Sequence, residues 1–193
     1  MPQWLYAIIH PVKVQLHNVK FRTKWLRKPF SASTYQNWLV NDKSLTARLQ
    51  KRYSEFYVKP LFQQDAKPTH DEARVLALKP STNAYIREVL LIGNQQPVVY
   101  AHSVLPHRSL RGKWHKLGRL GNKPLGAALF KNMQVTRTPL SYKKLSNNHI
   151  LYQKAVKQIE HLPAYLWARR SVFSLNCANI LVTEVFLPGL FDE

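Results

Sequence analysis

Apolar residues recur along this chain with two different spacings, and the switches between them mark out its elements. Residues 84–92 and 98–105 are apolar on both faces of an extended chain. Gly93-Asn94-Gln95-Gln96-Pro97 between them predicts a hairpin, and Pro106 ends the second strand. Residues 165–175 and 180–187 predict a second hairpin around Asn176-Cys177-Ala178-Asn179. Residues 53–62 alternate enough for a further strand, 63–69 read as a loop, and 75–78 and 133–140 read as extended segments. Helical spacing covers 31–52, where Trp38 and Leu39 anchor the first part and Ser44 caps a turn carrying Leu45, Arg48 and Leu49. Pro124 opens a short helix. Residues 148–161 place Ile150, Leu151, Ala155, Val156 and Ile159 at helical intervals. Strands joined by short hairpins, with helices before and between them, predict the α+β class: one domain over 1–193, built on an antiparallel sheet of about six strands. Residues 1–30 read as an N-terminal extension, and 138–165 as an elaborated loop and helix.

Two charges interrupt the apolar strands. Glu184 shares a face with Ile180, Val182 and Phe186, and Arg87 shares one with Tyr85, Val89 and Leu91. A lone charge on such a face is expensive to bury unless it is paired or serves a site. The pair suggests either a closed polar pocket inside the sheet or a structural salt bridge across it. Arg169-Arg170, after Trp167, offers a fork for a carboxylate. On a strand only one of the two can face a site, and the other is expected to be a solvated charge.

Composition narrows the alternatives. Hydrophobic residues make up 45% of the 193, enough for a packed core. The single Cys177 excludes an intramolecular disulfide and fits a reducing compartment. No stretch reaches the ~20 apolar residues of a membrane span, and the apolar run at 4–9 lacks the flanks of a signal peptide, so a cytoplasmic location is expected. The eight His are dispersed without metal-ligand spacing, so no metal site is expected. The Gly-bearing run Leu117-Gly118 to Leu125-Gly126 lacks the Gly-Lys-Ser/Thr ending of a P-loop. It reads as a basic flap over an anion, or as a plain surface loop. The formal charge is +19, and between Val89 and Ile159 twelve Lys and Arg occur with no acidic residue. Such a field attracts anions: a small dianion, an anionic membrane or nucleic acid. A solvated basic face is the bland alternative.

Four motifs, in this order, resemble the chorismate lyase family, the chorismate pyruvate-lyases of bacterial ubiquinone biosynthesis. They are Tyr85-Ile86-Arg87-Glu88-Val89-Leu90-Leu91, Lys116-Leu117-Gly118 with Lys123-Pro124-Leu125-Gly126, Leu166-Trp167-Ala168-Arg169-Arg170-Ser171, and Leu181-Val182-Thr183-Glu184-Val185-Phe186-Leu187-Pro188. The resemblance covers roughly 35–190. It implies an antiparallel sheet whose internal site is covered by flap loops, and a cofactor-free conversion of chorismate to 4-hydroxybenzoate and pyruvate. It also implies substrate-binding positions at Leu45, Arg87, Leu125 and Glu184, with Arg87 and Glu184 catalytic. Leu45, in Ser44-Leu45-Thr46, stands where the family pattern has Met. Residues 138–165 are longer than that pattern.

Two other classes compete. A related fold serves as the effector-binding half of some bacterial transcription regulators, which would make the chain a non-enzymatic anion sensor. Nucleic-acid binding is disfavoured, because the basic residues are not interleaved with aromatics as a stacking platform requires.

Overall fold

A computed structural model describes residues 24–191 except Lys113 and Lys131. The run at 4–9 therefore lies outside the described residues. Seven strands form one open antiparallel sheet in the order β1-β2-β3-β7-β6-β4, with β5 also paired to β6. These are β1 (Phe56–Ala66), β2 (Ala84–Gly93), β3 (Gln96–Leu105), β4 (Thr136–Arg137), β5 (Ser141–Leu145), β6 (Leu166–Leu175) and β7 (Ala178–Phe186). The helices are α1 (Gln36–Leu39), α2 (Leu45–Arg52), α3 (His70–Val75), α4 (His107–Leu110), α5 (Leu125–Phe130) and α6 (Ile150–Val156). The α+β expectation holds, with seven strands rather than about six.

Both predicted hairpins form, and they are tighter than expected. Asn94-Gln95 and Asn176-Cys177 make two-residue turns with positive φ at every position, the conformation that matches the strands' right-handed twist. Ser44 caps α2 by accepting a hydrogen bond from Ala47 N–H. Three expectations fail. Residues 63–66 are not a loop but the end of β1, a sheet edge that needs a partner on one side only. Residues 75–78 are not extended, because α3 ends there. Of 133–140, only Thr136–Arg137 pairs with β6.

The two faces of the sheet carry different chemistry. On one face, Val89, Leu91, Val99, Trp167 and Phe186 pack against α1 and α2 through Trp38, Leu39, Leu45 and Leu49. Further along that face, Phe173, Leu175 and Ile180 meet Trp114, Leu117, Leu125 and Leu129 from the 107–130 segment. On the opposite face, α6 packs Leu151, Tyr152 and Ala155 against Leu90, Tyr100, Ala168 and Val185. This second face also buries an ion network. His102 lies 3.1 Å from both Glu72 of α3 and Glu88 of β2, and Lys154 of α6 pairs with Glu88. Burial opposes charge on His102, but the hydrogen bonds it donates to the two carboxylates outweigh that cost and raise its pKa to about 9. Burial likewise would raise Glu72 and Glu88, yet hydrogen bonds to His102 hold both at about 2.

Part of the expected N-terminal extension is bound to the sheet. Leu26 exchanges two backbone hydrogen bonds with Tyr142 of β5, and the Trp25 ring stacks on Arg170.

Candidate active site

The strand register decides what can meet. Arg87 on β2 faces Ser103 on β3, Ser103 faces Val182 on β7, and Val182 faces Ser171 on β6. The adjacent row runs Val89, Ala101, Glu184, Arg169. All these side chains share one face, since residues two apart point the same way. The central strand β3 contributes only Ala101 and Ser103 there, while its neighbours contribute Arg87 and Glu184. Small side chains flanked by long ones leave a hollow in the sheet face. The cavity holds about 40 Å³ of free space.

Two helix starts cover it. Leu45 and Thr46 open α2, and Leu125 and Gly126 open α5; all four line the cavity. A Cβ at Gly126 would come within 3.0 Å of Thr46 Oγ1, so a glycine lets the two covers close on each other. Lys43, Pro124, Leu129, Phe130, Arg137 and Phe173 complete the wall.

Arg87, Glu184, Leu45 and Leu125, the four positions named through the family resemblance, line one cavity, but Arg87 and Glu184 do not pair. One strand lies between theirs, about 10 Å apart at two strand spacings. Glu184 instead binds Arg169, whose Nε donates to Oε2 at 2.5 Å. Arg87 is 2% exposed and donates to the backbone carbonyls of Gly121 and Lys123, at 3.1 and 2.9 Å, which fastens the 121–123 cover to β2. Its Nε has no acceptor, and no carboxylate lies in ion-pair range among the described residues. Burial pushes the Arg87 pKa below its usual value. A buried guanidinium satisfied only by two carbonyls is a strained electrostatic position that an incoming carboxylate would relieve.

Two further cations were not singled out by the sequence. Arg137 donates from Nε to Ser171 Oγ at 2.7 Å and from Nη1 to Asp42 O at 2.6 Å, with its guanidinium 5.0 Å over the Phe173 ring. Burial pushes its pKa down. Lys43 reaches the cavity from the α1–α2 loop. With Arg87 and Arg169, four cations surround one carboxylate, Glu184, so the cavity favours a ligand carrying more than one negative charge. Both missed residues sit in short or irregular segments, where no periodicity marks a face. The solvated charge expected at the outward arginine is not found: Arg170 pairs with Asp71 and stacks on Trp25, 9% exposed.

Comparison with known proteins agrees with this geometry. The chorismate lyase family matches over residues 21–193. A protein of Nitrosomonas europaea named probable chorismate pyruvate-lyase is 47% identical over 167 residues, covering 86% of this chain and 94% of its own length. One of the same name from Methylobacillus flagellatus is 43% identical, covering 88% and 95%. Among solved structures, a GntR-family transcriptional regulator from Bacillus cereus superposes with a TM-score of 0.54 at 15% identity, over 72% of this chain and 96% of that one. The effector domain of PhnF from Mycobacterium smegmatis gives 0.53 at 12%, over 76% and 90%. At such identities the likeness is one of fold alone.

Proposed function

Since the chain belongs to the chorismate lyase family and is a lyase by that membership, we propose that its cavity takes chorismate and releases 4-hydroxybenzoate and pyruvate, the first step toward ubiquinone. The observation that carries this reading is the buried Arg87 without a carboxylate partner, set across the hollow from Glu184. Chorismate bears a ring carboxylate and an enolpyruvyl carboxylate, and the site offers Arg87, Lys43 and Arg137 to a dianion around the one acid. Arginine forks suit carboxylates because they donate two parallel hydrogen bonds.

The reaction balances within the substrate. The C3–O ether bond breaks, C4 loses its hydrogen, and the enolpyruvyl methylene gains one. The ring becomes aromatic, and no water, oxidant or reductant enters. The protein therefore needs only to hold the ether in reactive geometry, exclude water and place charge. Arg87 anchors the ring carboxylate at one end. Glu184 accepts a hydrogen bond from the 4-hydroxyl at the other, beside the C4 hydrogen. The hydrogen travels either through that carboxylate or directly to the methylene. Leu45, Leu125 and Leu129 supply the apolar walls that the aromatic product favours.

The cationic cover adds capture. Arg111, Lys116, Arg119 and Lys123 are exposed on the 107–123 segment that leads into the Pro124–Gly126 wall of the cavity, with no acid among them. They draw in a dianion, and the same field draws the protein toward anionic membrane surfaces.

Chorismate kinetics on the wild type and Arg87→Ala test the reading. Losing a buried charge-assisted bond should cost ~2–5 kcal/mol in kcat/KM. A folded Arg87→Ala protein with near-normal kcat/KM would remove Arg87 from the site.

A further inference from the structure

We infer that Arg169 is a positioning residue that makes the direction of the Glu184 carboxylate conditional on closure of the 38–45 segment. The inference rests on the proposed lyase reaction for its kinetic consequence, though not for its structural one.

Arg169 is 1% exposed and stands directly across from Glu184 on the neighbouring strand. One edge of its guanidinium serves Glu184, through Nε to Oε2. Another edge serves the chain leaving α1. Nη1 donates to Trp38 O at 2.9 Å and to Asn41 O, with Leu39 O at 3.4 Å. Those carbonyls belong to the end of α1 and the loop after it. The last carbonyls of a helix have no intrahelical donor, so they need an outside partner. The guanidinium is planar and rigid, so fixing Nη1 on the loop fixes the direction of Nε. The loop thereby sets where the carboxylate points. Glu184 Oε1 has no protein partner among the described residues, and both residues line the cavity.

The same loop is held from the side by Arg137, through Asp42 O, and this second guanidinium makes no hydrogen bond to Glu184. Beyond Asp42 comes the Ser44 cap, flanked by Lys43, Leu45 and Thr46, which wall the cavity. Arg169 and Glu184 lie beneath this wall, their side chains 1% and 17% exposed, so a ligand that reaches them displaces part of the cover, and displacing this loop withdraws the acceptors of Nη1. Glu184 then loses its fixed direction until the loop returns. The acid is thus presented only in the closed, water-excluded site.

A double-mutant cycle reads this directly. Arg169→Met should lower kcat about 10–100-fold while changing KM less. In a Glu184→Gln background the same substitution should change kcat by no more than about twofold, because the residue acts through Glu184. Arg169→Lys, which can serve the loop or the carboxylate but not both, should fall between wild type and Arg169→Met. An equal loss from Arg169→Met in both backgrounds would overturn the inference. A second arm needs no turnover. Amide hydrogen exchange over 38–47 in the substrate-free protein should speed several-fold in Arg169→Met and also in Glu184→Gln, but not in Lys154→Met on the opposite sheet face. Unchanged exchange in the first two would overturn the coupling. A wild type that leaves chorismate intact would sink the lyase reading and leave the exchange arm to decide this one.

Discussion

Arg87 and Glu184 were legible in the sequence because each is a single charge on an otherwise apolar strand face, and the cost of burying such a charge points to a site. Their partners were not legible. Which charge meets which depends on strand order, and β3 lies between β2 and β7. Glu184 therefore meets Arg169, and Arg87 meets backbone carbonyls of the cover. Arg137 and Lys43 escaped notice because neither lies in a periodic stretch. At this scale the role of Glu184 is open to measurement. Glu184→Gln keeps the shape and removes the charge, so kcat should fall more than KM rises. A loss of ~10²–10⁴-fold marks passage of the C4 hydrogen through the carboxylate, whereas an orienting role loses on the order of tenfold. An unchanged kcat would leave the Arg169 pair as a structural bridge only.

The elements were read best where apolar periodicity was strong on both faces, as in β2, β3, β6 and β7. Helix α3 was missed although Thr69-His70-Asp71-Glu72 carries a capping box, with Thr69 and Glu72 each closing on the other's backbone. Six residues with little apolar content give no period to detect. Strand β5 was missed because Lys143 and Lys144 mask its alternation, while Tyr142 and Leu145 are buried. Both missed elements lie near the ion network of the second face, to which α3 supplies Glu72 and α6 supplies Lys154. That network predicts a pH dependence. His102 binds its proton more tightly folded, at about 9, than in the unfolded chain, near 6.5. Its stabilisation is complete below about pH 6.5 and is lost as pH rises through 9. Glu72 and Glu88, held near 2, contribute fully above about 4.5 and lose their contribution as pH falls through 2. The melting temperature should therefore decline between pH 6.5 and 9, and the decline should flatten in His102→Gln. The same slope in both proteins would show that His102 is not its source.

At the scale of the whole molecule, the two sheet faces divide the work. One face is hollowed by Ala101 and Ser103 and closed by two helix starts, and the other is tied down by buried ions. Part of the basic excess, plain in the sequence, is exposed on the segment that leads into the cavity's Pro124–Gly126 wall, a placement that composition does not reveal. Capture by this field should weaken with salt, since screening shortens to ~3 Å near 1 M, so kcat/KM should fall as ionic strength rises. In sedimentation, vesicles of anionic lipid should retain the protein at low salt and neutral vesicles should not; equal retention by both, or by neither, would remove the membrane attraction. The likeness to a GntR-family regulator and to the PhnF effector domain shows that this fold also occurs in transcriptional regulators, so fold does not decide between turnover and binding. The most direct measurement is to incubate the purified protein with chorismate and quantify both products over time. The account predicts 4-hydroxybenzoate and pyruvate in equal amounts and in excess over enzyme. Chorismate bound but recovered intact would contradict it.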